Sequence, residues 1–401
     1  MLIQDSLPSW LLALAATATM ANAGPPNKHH DEAKCTPVSF KFTATAENYL
    51  FSPNPDPNSE SDIQEFYNLL INGTNLIAGT QTVSGTFTLN GIYCSPSSPG
   101  KGKKTKDVLE ILIHGASYDA LSWLGWNKFG DKYNYPLAAA REGYHTLAID
   151  RLGHGTNPDR PDPVNVVQSG LQMELFKQLI TSVKTSSKNP LGKTFKKVVW
   201  VGHSWGSMLG IAYARLYKGA SPSESRFAFD ALVGTGISSD IHSEVFAQFP
   251  TGIASRVDPV KFASLAAGYL TYTTEEAREA SFYAGEYDPA IPKYDFAHKD
   301  TVTVGEFAAV GPLLQGPVLG YTKPTMIVTG ANDAIFCVKP GVDPRECDKT
   351  LEKTGTDFFP DVVRAGKYEY FAPRNTGHDQ SLHYAADEVA AKIHQFLDKY
   401  L

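Results

Sequence analysis

Hydrophobic positions follow two regimes along this chain. From Cys35 to about Cys94 they alternate with polar ones, as in Val38-Ser-Phe-Lys-Phe-Thr-Ala-Thr and Thr80-Gln-Thr-Val-Ser-Gly-Thr-Phe-Thr-Leu, with turn residues between. Period two predicts a β extension over residues 24–106 that leads into the antiparallel edge of a larger sheet. Residues 24–34 are polar without a core pattern, and Ser95–Lys106 reads as a loop. From residue 107 onward, short apolar runs alternate with helical periodicity. Strands are predicted over Val108–Ile113, His145–Asp150, Lys197–Val201, Ala231–Val233, Thr325–Thr329 and Tyr368–Phe371. Helices are predicted over Leu137–Glu142, Val164–Thr185, Met208–Tyr217 and Asp387–Lys399. That rhythm implies an α/β class: a mainly parallel sheet, right-handed crossovers and flanking helices. In such sheets active groups gather at the carboxyl ends of the strands.

The rhythm lapses over residues 237–320, which divide the core into 107–236 and 321–401. The interruption is rich in aromatics, including Phe246, Phe249, Phe262, Tyr269, Tyr272, Phe282 and Phe307. Such residues more often fill an insertion's own core than line a pocket, so none is singled out as a substrate contact.

The chemistry concentrates where strands end. Val198-Val-Trp-Val runs into Gly202-His203-Ser204-Trp205-Gly206, and small and apolar residues suited to a helix follow. A sharp strand–turn–helix with serine at its apex needs small residues two before and two after, and Gly202 and Gly206 meet that need. Val108–Ile113 ends in His114-Gly115-Ala116-Ser117, Thr325–Thr329 in Gly330-Ala-Asn-Asp333, and Tyr368–Phe371 leads to Gly377-His378-Asp379. Serine is a weak nucleophile and needs a base; His378 is the candidate base and Asp333 the candidate acid that orients it. Asp379 is a rival acid, but as the neighbour of His378 it is poorly placed to reach the far ring nitrogen. Trp205, directly after the serine, offers one backbone N–H for an oxyanion. His114, His154 and His203 read as structural hydrogen-bonding residues.

The order Ser204, Asp333, His378, together with the His114-Gly motif and Leu147-Ala-Ile-Asp150-Arg151-Leu-Gly153-His154-Gly155, resembles the α/β-hydrolase superfamily over roughly residues 107–401. Within it the chain is similar to the lid-bearing branch, and to secreted hydrolases of fungal type. The resemblance implies that 237–320 is a helical lid and that Ala116 supplies the second oxyanion N–H. It also separates chemistries. Epoxide hydrolases and haloalkane dehalogenases carry Asp at the elbow, where this chain has Ser204. Proline iminopeptidase-type aminopeptidases share Ser-Trp-Gly-Ser but usually have His-Gly-Gly-Pro, against His114-Gly-Ala-Ser117 here; lipases with His-Gly-Gly-Gly depart likewise. The implied activity is cleavage of a carboxylic ester or lactone, with an apolar small-molecule substrate. A serine aminopeptidase and a non-catalytic ligand-binding protein are the alternatives.

At 401 residues and 42% hydrophobic content, a sizeable core is available. A net charge of −6 without a long basic run gives no footprint for nucleic acid. Residues 1–23, with apolar Leu7–Ala16 and Ala21-Asn22-Ala23 before Gly24, read as a secretory signal, although no Lys or Arg precedes the apolar stretch. That stretch is too short to span a bilayer, so no stable membrane anchor is expected. The four cysteines all follow it; proximity favours pairing Cys35 with Cys94 and Cys337 with Cys347. Asn72-Gly73-Thr74 is a glycosylation sequon, consistent with export. No cysteine has metal-ligand spacing, and no motif calls for a metal or other cofactor.

Overall fold

The computed structural model describes residues 32–219, 221–242, 250–339 and 341–401. The expected signal segment 1–23 and two of the insertion's aromatics, Phe246 and Phe249, lie outside them. The chain opens with a long hairpin of β1 (Ala33–Phe51) and β2 (Ile77–Pro96), whose register sets Cys35 opposite Cys94. A disulfide joins that pair. The polar prefix is shorter than the sequence implied, since β1 already begins at Ala33. Between the strands lies an unpredicted helix, Glu60–Ile71, capped by Ser59 accepting from Asp62 N–H. Only Ile63 and Phe66 on it are buried, too few to print a helical period on the sequence. The Asn72-Gly73-Thr74 turn that follows is exposed.

The strands that follow are β3 (Val108–Ile113), β4 (His145–Ile149), β5 (Lys197–His203), β6 (Ala231–Thr235), β7 (Thr251–Ile253), β8 (Tyr269–Tyr272), β9 (Val302–Thr303), β10 (Thr325–Val328) and β11 (Tyr368–Phe371). The main sheet has the order β1-β2-β4-β3-β5-β6-β10-β11. β1, β2 and β4 pair antiparallel, and every pairing from β4 to β11 is parallel. This is the mainly parallel sheet predicted from the strand–helix rhythm, and the architecture that the resemblance to α/β-hydrolases implies. All six residues of β3 are buried, Glu110 among them. Its carboxylate accepts from the Tyr135 hydroxyl at 2.6 Å and faces His394 Nε2 at 3.1 Å, which satisfies a charge inside an apolar strand.

Helices Tyr135–Arg141, Ser169–Thr185, Trp205–Leu216 and Ala386–Tyr400 flank the sheet. The second starts five residues later than predicted. The Asp162 carboxylate accepts the N–H groups of Val164 and Asn165 and draws that stretch into a turn. Helix Glu346–Phe358 was not anticipated.

The insertion is not simply helical. Short helices, among them Glu275–Phe282, Ala290–His298 and Val304–Ala308, surround an antiparallel sheet of order β7-β8-β9. β8, Tyr-Leu-Thr-Tyr, is buried throughout and too short to show a period. Glu306 bolts this layer to the core. Fully buried, it pairs with the buried Arg151, faces His154 Nε2 at 3.0 Å and accepts from Gln172 Nε2 at 2.9 Å. Among the described residues no helix is long and apolar enough to cross a membrane.

Candidate active site

β5 delivers Ser204 to the start of helix Trp205–Leu216 with φ +50° and ψ −111°, a strained conformation for a residue with a side chain. Two close approaches explain the flanking glycines. A Cβ on Gly202 would lie 2.4 Å from Gly206 C, and one on Gly206 would lie 2.1 Å from Ile113 O. The turn is tied to the sheet by Ser204 N–H donating to Thr235 O at 2.8 Å.

Asp333 sits in the turn after β10, where the disulfide Cys337–Cys347 closes the loop that follows. Its Oδ1 accepts the N–H groups of Ile335 and Phe336, at 2.8 and 3.1 Å. Its Oδ2 lies 2.8 Å from His378 Nδ1, and both side chains are buried. The His378 ring is packed between Phe282 and Phe336, with centroids at 5.4 and 5.6 Å, and its backbone N–H donates to Phe282 O at 2.9 Å. Burial disfavours its charged form, but the Asp333 carboxylate, by charge and hydrogen bond, and then the charge of Asp379 outweigh this. His378 therefore titrates above the ordinary histidine value.

Ser204 and His378 line one cleft, together with Ala116, Trp205, Tyr272, Phe282 and Phe307. Among the described residues no hydrogen bond joins Ser204 Oγ to His378; such contacts are often loose before substrate arrives. Among the described residues the backbone N–H groups of Ala116 and Trp205 find no acceptor, which leaves two donors beside the serine.

The other histidines have other partners. His114 Nδ1 donates to Gly115 O at 2.9 Å while Nε2 accepts Arg151 N–H at 3.0 Å, pinning the loop before Ala116. Burial, reinforced by Arg151, holds its pKa well below the usual value, so it is neutral. His154 joins Glu306 and Thr301. His203 Nε2 lies 2.6 Å from Asp379 Oδ1, so the rival acid serves His203 while Asp333 serves His378. His203, His378 and Asp379 are the cluster among the described residues close enough to share a metal ion. Their atoms are largely engaged already, with Asp333, Thr235 and one another. Proton exchange suits this arrangement better than metal ligation.

Sequence reasoning missed Tyr118, Arg278 and Asp295. These buried side chains meet at the cleft wall, which Tyr118 itself lines, with Tyr118 2.8 Å from Asp295 and Arg278 2.8 Å from the same carboxylate. Their separation, 118 to 278 and 295, left no local signal.

Residues 111–392 match the family described as the alpha/beta hydrolase family. No curated protein sequence matches the chain. Similar solved structures include a monoglyceride lipase from Saccharomyces cerevisiae in complex with a substrate analog (16% identity, 78% of this chain and 92% of that one, TM-score 0.49). A monoacylglycerol lipase from Paleococcus ferrophilus has 14% identity over 75% and 97% of the two chains, with a TM-score of 0.45. E-2-(acetamidomethylene)succinate hydrolase has 14% identity over 78% and 95%, also with a TM-score of 0.45.

Proposed function

The chain belongs to the alpha/beta hydrolase family, and from that premise we propose that it cleaves carboxylic esters or lactones through an acyl-enzyme on Ser204. The observation that carries the reading is the buried His378–Asp333 contact of 2.8 Å in a cleft that also presents Ser204 on a strained turn. His378 Nε2 takes the serine proton during attack, while Nδ1–H points at Asp333, which fixes the tautomer and stabilises the imidazolium. The Ala116 and Trp205 N–H groups receive the developing oxyanion, each contributing about 2.7–4 kcal/mol. His378 then protonates the leaving alcohol, and water repeats the sequence to free the acid.

The cleft wall favours an apolar acyl or alcohol group, since Tyr272, Phe282, Phe307, Val302 and Ile335 all face it. Among the described residues no carboxylate lines it. The nearby Asp295 and Asp379 are already engaged, by Arg278 and by His203. The free amino group of an aminopeptidase substrate therefore meets no counter-charge among the described residues, which favours esters over peptides.

Residues 237–320 act as a lid over this cleft, residues 1–23 as a secretory signal, and Asn72 as a glycan acceptor on an exported protein of fungal type. The two disulfides and the exposed Asn72 turn support export. The test is turnover of p-nitrophenyl esters, lactones and amino-acyl anilides by the mature protein beside Ser204→Ala. Ester or lactone hydrolysis lost in the variant is expected; preference for the anilides would replace this reading with a peptidase.

A further inference from the structure

Helices Glu275–Phe282 and Ala290–His298 of the insertion carry Arg278 and Asp295, an ion pair 1% and 0% exposed. A buried pair is weak evidence for stability in itself, so the destinations of its remaining hydrogen bonds are the informative part. They leave the insertion. Arg278 Nη1 donates to Ser117 Oγ at 2.7 Å and Nη2 to Ser117 O at 3.3 Å. Asp295 Oδ2 accepts from the Tyr118 hydroxyl at 2.8 Å. That hydroxyl also meets Asp379 Oδ2, and Asp379 Oδ1 lies 2.6 Å from His203 Nε2. The guanidinium stacks 4.4 Å from the centre of the Tyr118 ring, which fixes the phenol between its two carboxylates.

The ends of this network share one property. Ser117 follows Ala116, Asp379 follows His378, and His203 precedes Ser204. Each is the immediate chain neighbour of a residue given a role above. A second set of contacts runs the same way: Phe282 O accepts the N–H groups of His378 and Asp379, and Glu286 N–H donates to Asn375 O. The insertion thus holds the base loop by its backbone as well as through Tyr118.

We infer that Arg278, Asp295 and Tyr118 are positioning residues: one buried ion pair in the insertion sets the oxyanion loop, the serine turn and the base loop relative to one another. The insertion then completes the site as well as covering it. This rests on the roles proposed for Ser204 and His378. Tyr118 is the link most easily cut, because among the described residues it alone bridges Asp295 and Asp379.

Tyr283 supplies a matched control. Its hydroxyl also donates to Asp295 Oδ2, at 2.9 Å, but has no bond to Asp379. Tyr118→Phe and Tyr283→Phe therefore each remove one hydroxyl from the same carboxylate, and only the first breaks the bridge. The experiment measures kcat, KM, thermal midpoint and the rate of fluorophosphonate labelling for both variants and the wild type. Misplacement of reacting groups lowers rate by up to about 100-fold. Tyr118→Phe should accordingly lose about tenfold or more in kcat and labelling, with KM and midpoint little changed, and Tyr283→Phe should stay within about twofold. Equal losses in the two variants, a change in KM alone, or full activity in Tyr118→Phe would overturn the positioning role while leaving the serine reading intact. A wild-type protein that takes no label would overturn both.

Discussion

His378 Nδ1 stands 2.8 Å from Asp333 Oδ2, and the other oxygen of Asp333 is committed to the N–H groups of Ile335 and Phe336. The carboxylate is thereby fixed with one oxygen free for the imidazole. Asp333→Asn keeps the shape and the two backbone bonds but turns an amide donor toward Nδ1, which selects the wrong tautomer. The expected loss is about 10⁴ in kcat with a nearly unchanged thermal midpoint. Steady-state kinetics beside a melting curve separate the two effects, and a loss below tenfold would remove Asp333 from its role.

Acidification should silence the protein above the usual histidine range. Only neutral His378 accepts the serine proton, and Asp333 and Asp379 outweigh burial to raise its pKa above 6.5. The acid limb of kcat/KM therefore lies on the high side of that value. Asp379→Asn removes one of the charges that favour the imidazolium, so its limb moves to lower pH. A pH–rate profile of both proteins checks the sign.

The Glu306 contacts predict how the insertion depends on pH. Burial favours the protonated carboxyl, but Arg151 and then His154 outweigh it and hold Glu306 well below the usual carboxylate range. A depressed folded pKa contributes stability that is complete above the unfolded value of about 4.3 and fades as pH falls below it. Glu306→Gln leaves Arg151 buried without its counter-charge and should cost about 3–5 kcal/mol at neutral pH. Denaturant unfolding should show the gap to wild type narrowing on acidification.

The Cys337–Cys347 bond closes a loop with a sequence separation of 10, directly beyond Asp333. Replacing both cysteines with serine should lower stability by about 3 kcal/mol. Cys337 and Val338 donate their N–H groups to Asp333 O, each at 3.0 Å, so kcat should fall as well. Loss of stability alone would separate the loop from the position of the acid.

Much of this was legible in the sequence, for reasons that can be stated. The turn at Ser204 was readable because its tight geometry excludes a Cβ at Gly202 and Gly206, and glycine at fixed spacing is a strong local mark. β3 and β5 were readable because strands buried on both faces become continuous apolar runs. Helix Glu60–Ile71 and the buried strand β8 were not, since two buried positions or four residues carry too little period. Tyr118, Arg278 and Asp295 were invisible for a different reason. Their meaning lies in partners more than 150 residues away for Tyr118, and in charges that cancel only after folding.

The most direct measurement is fluorophosphonate labelling of the mature protein followed by peptide mapping, with Ser204→Ala alongside. Stoichiometric label on the peptide bearing Ser204, absent from the variant, is the predicted result. A folded protein that takes no label, or takes it at another residue, would contradict an acyl-enzyme on Ser204.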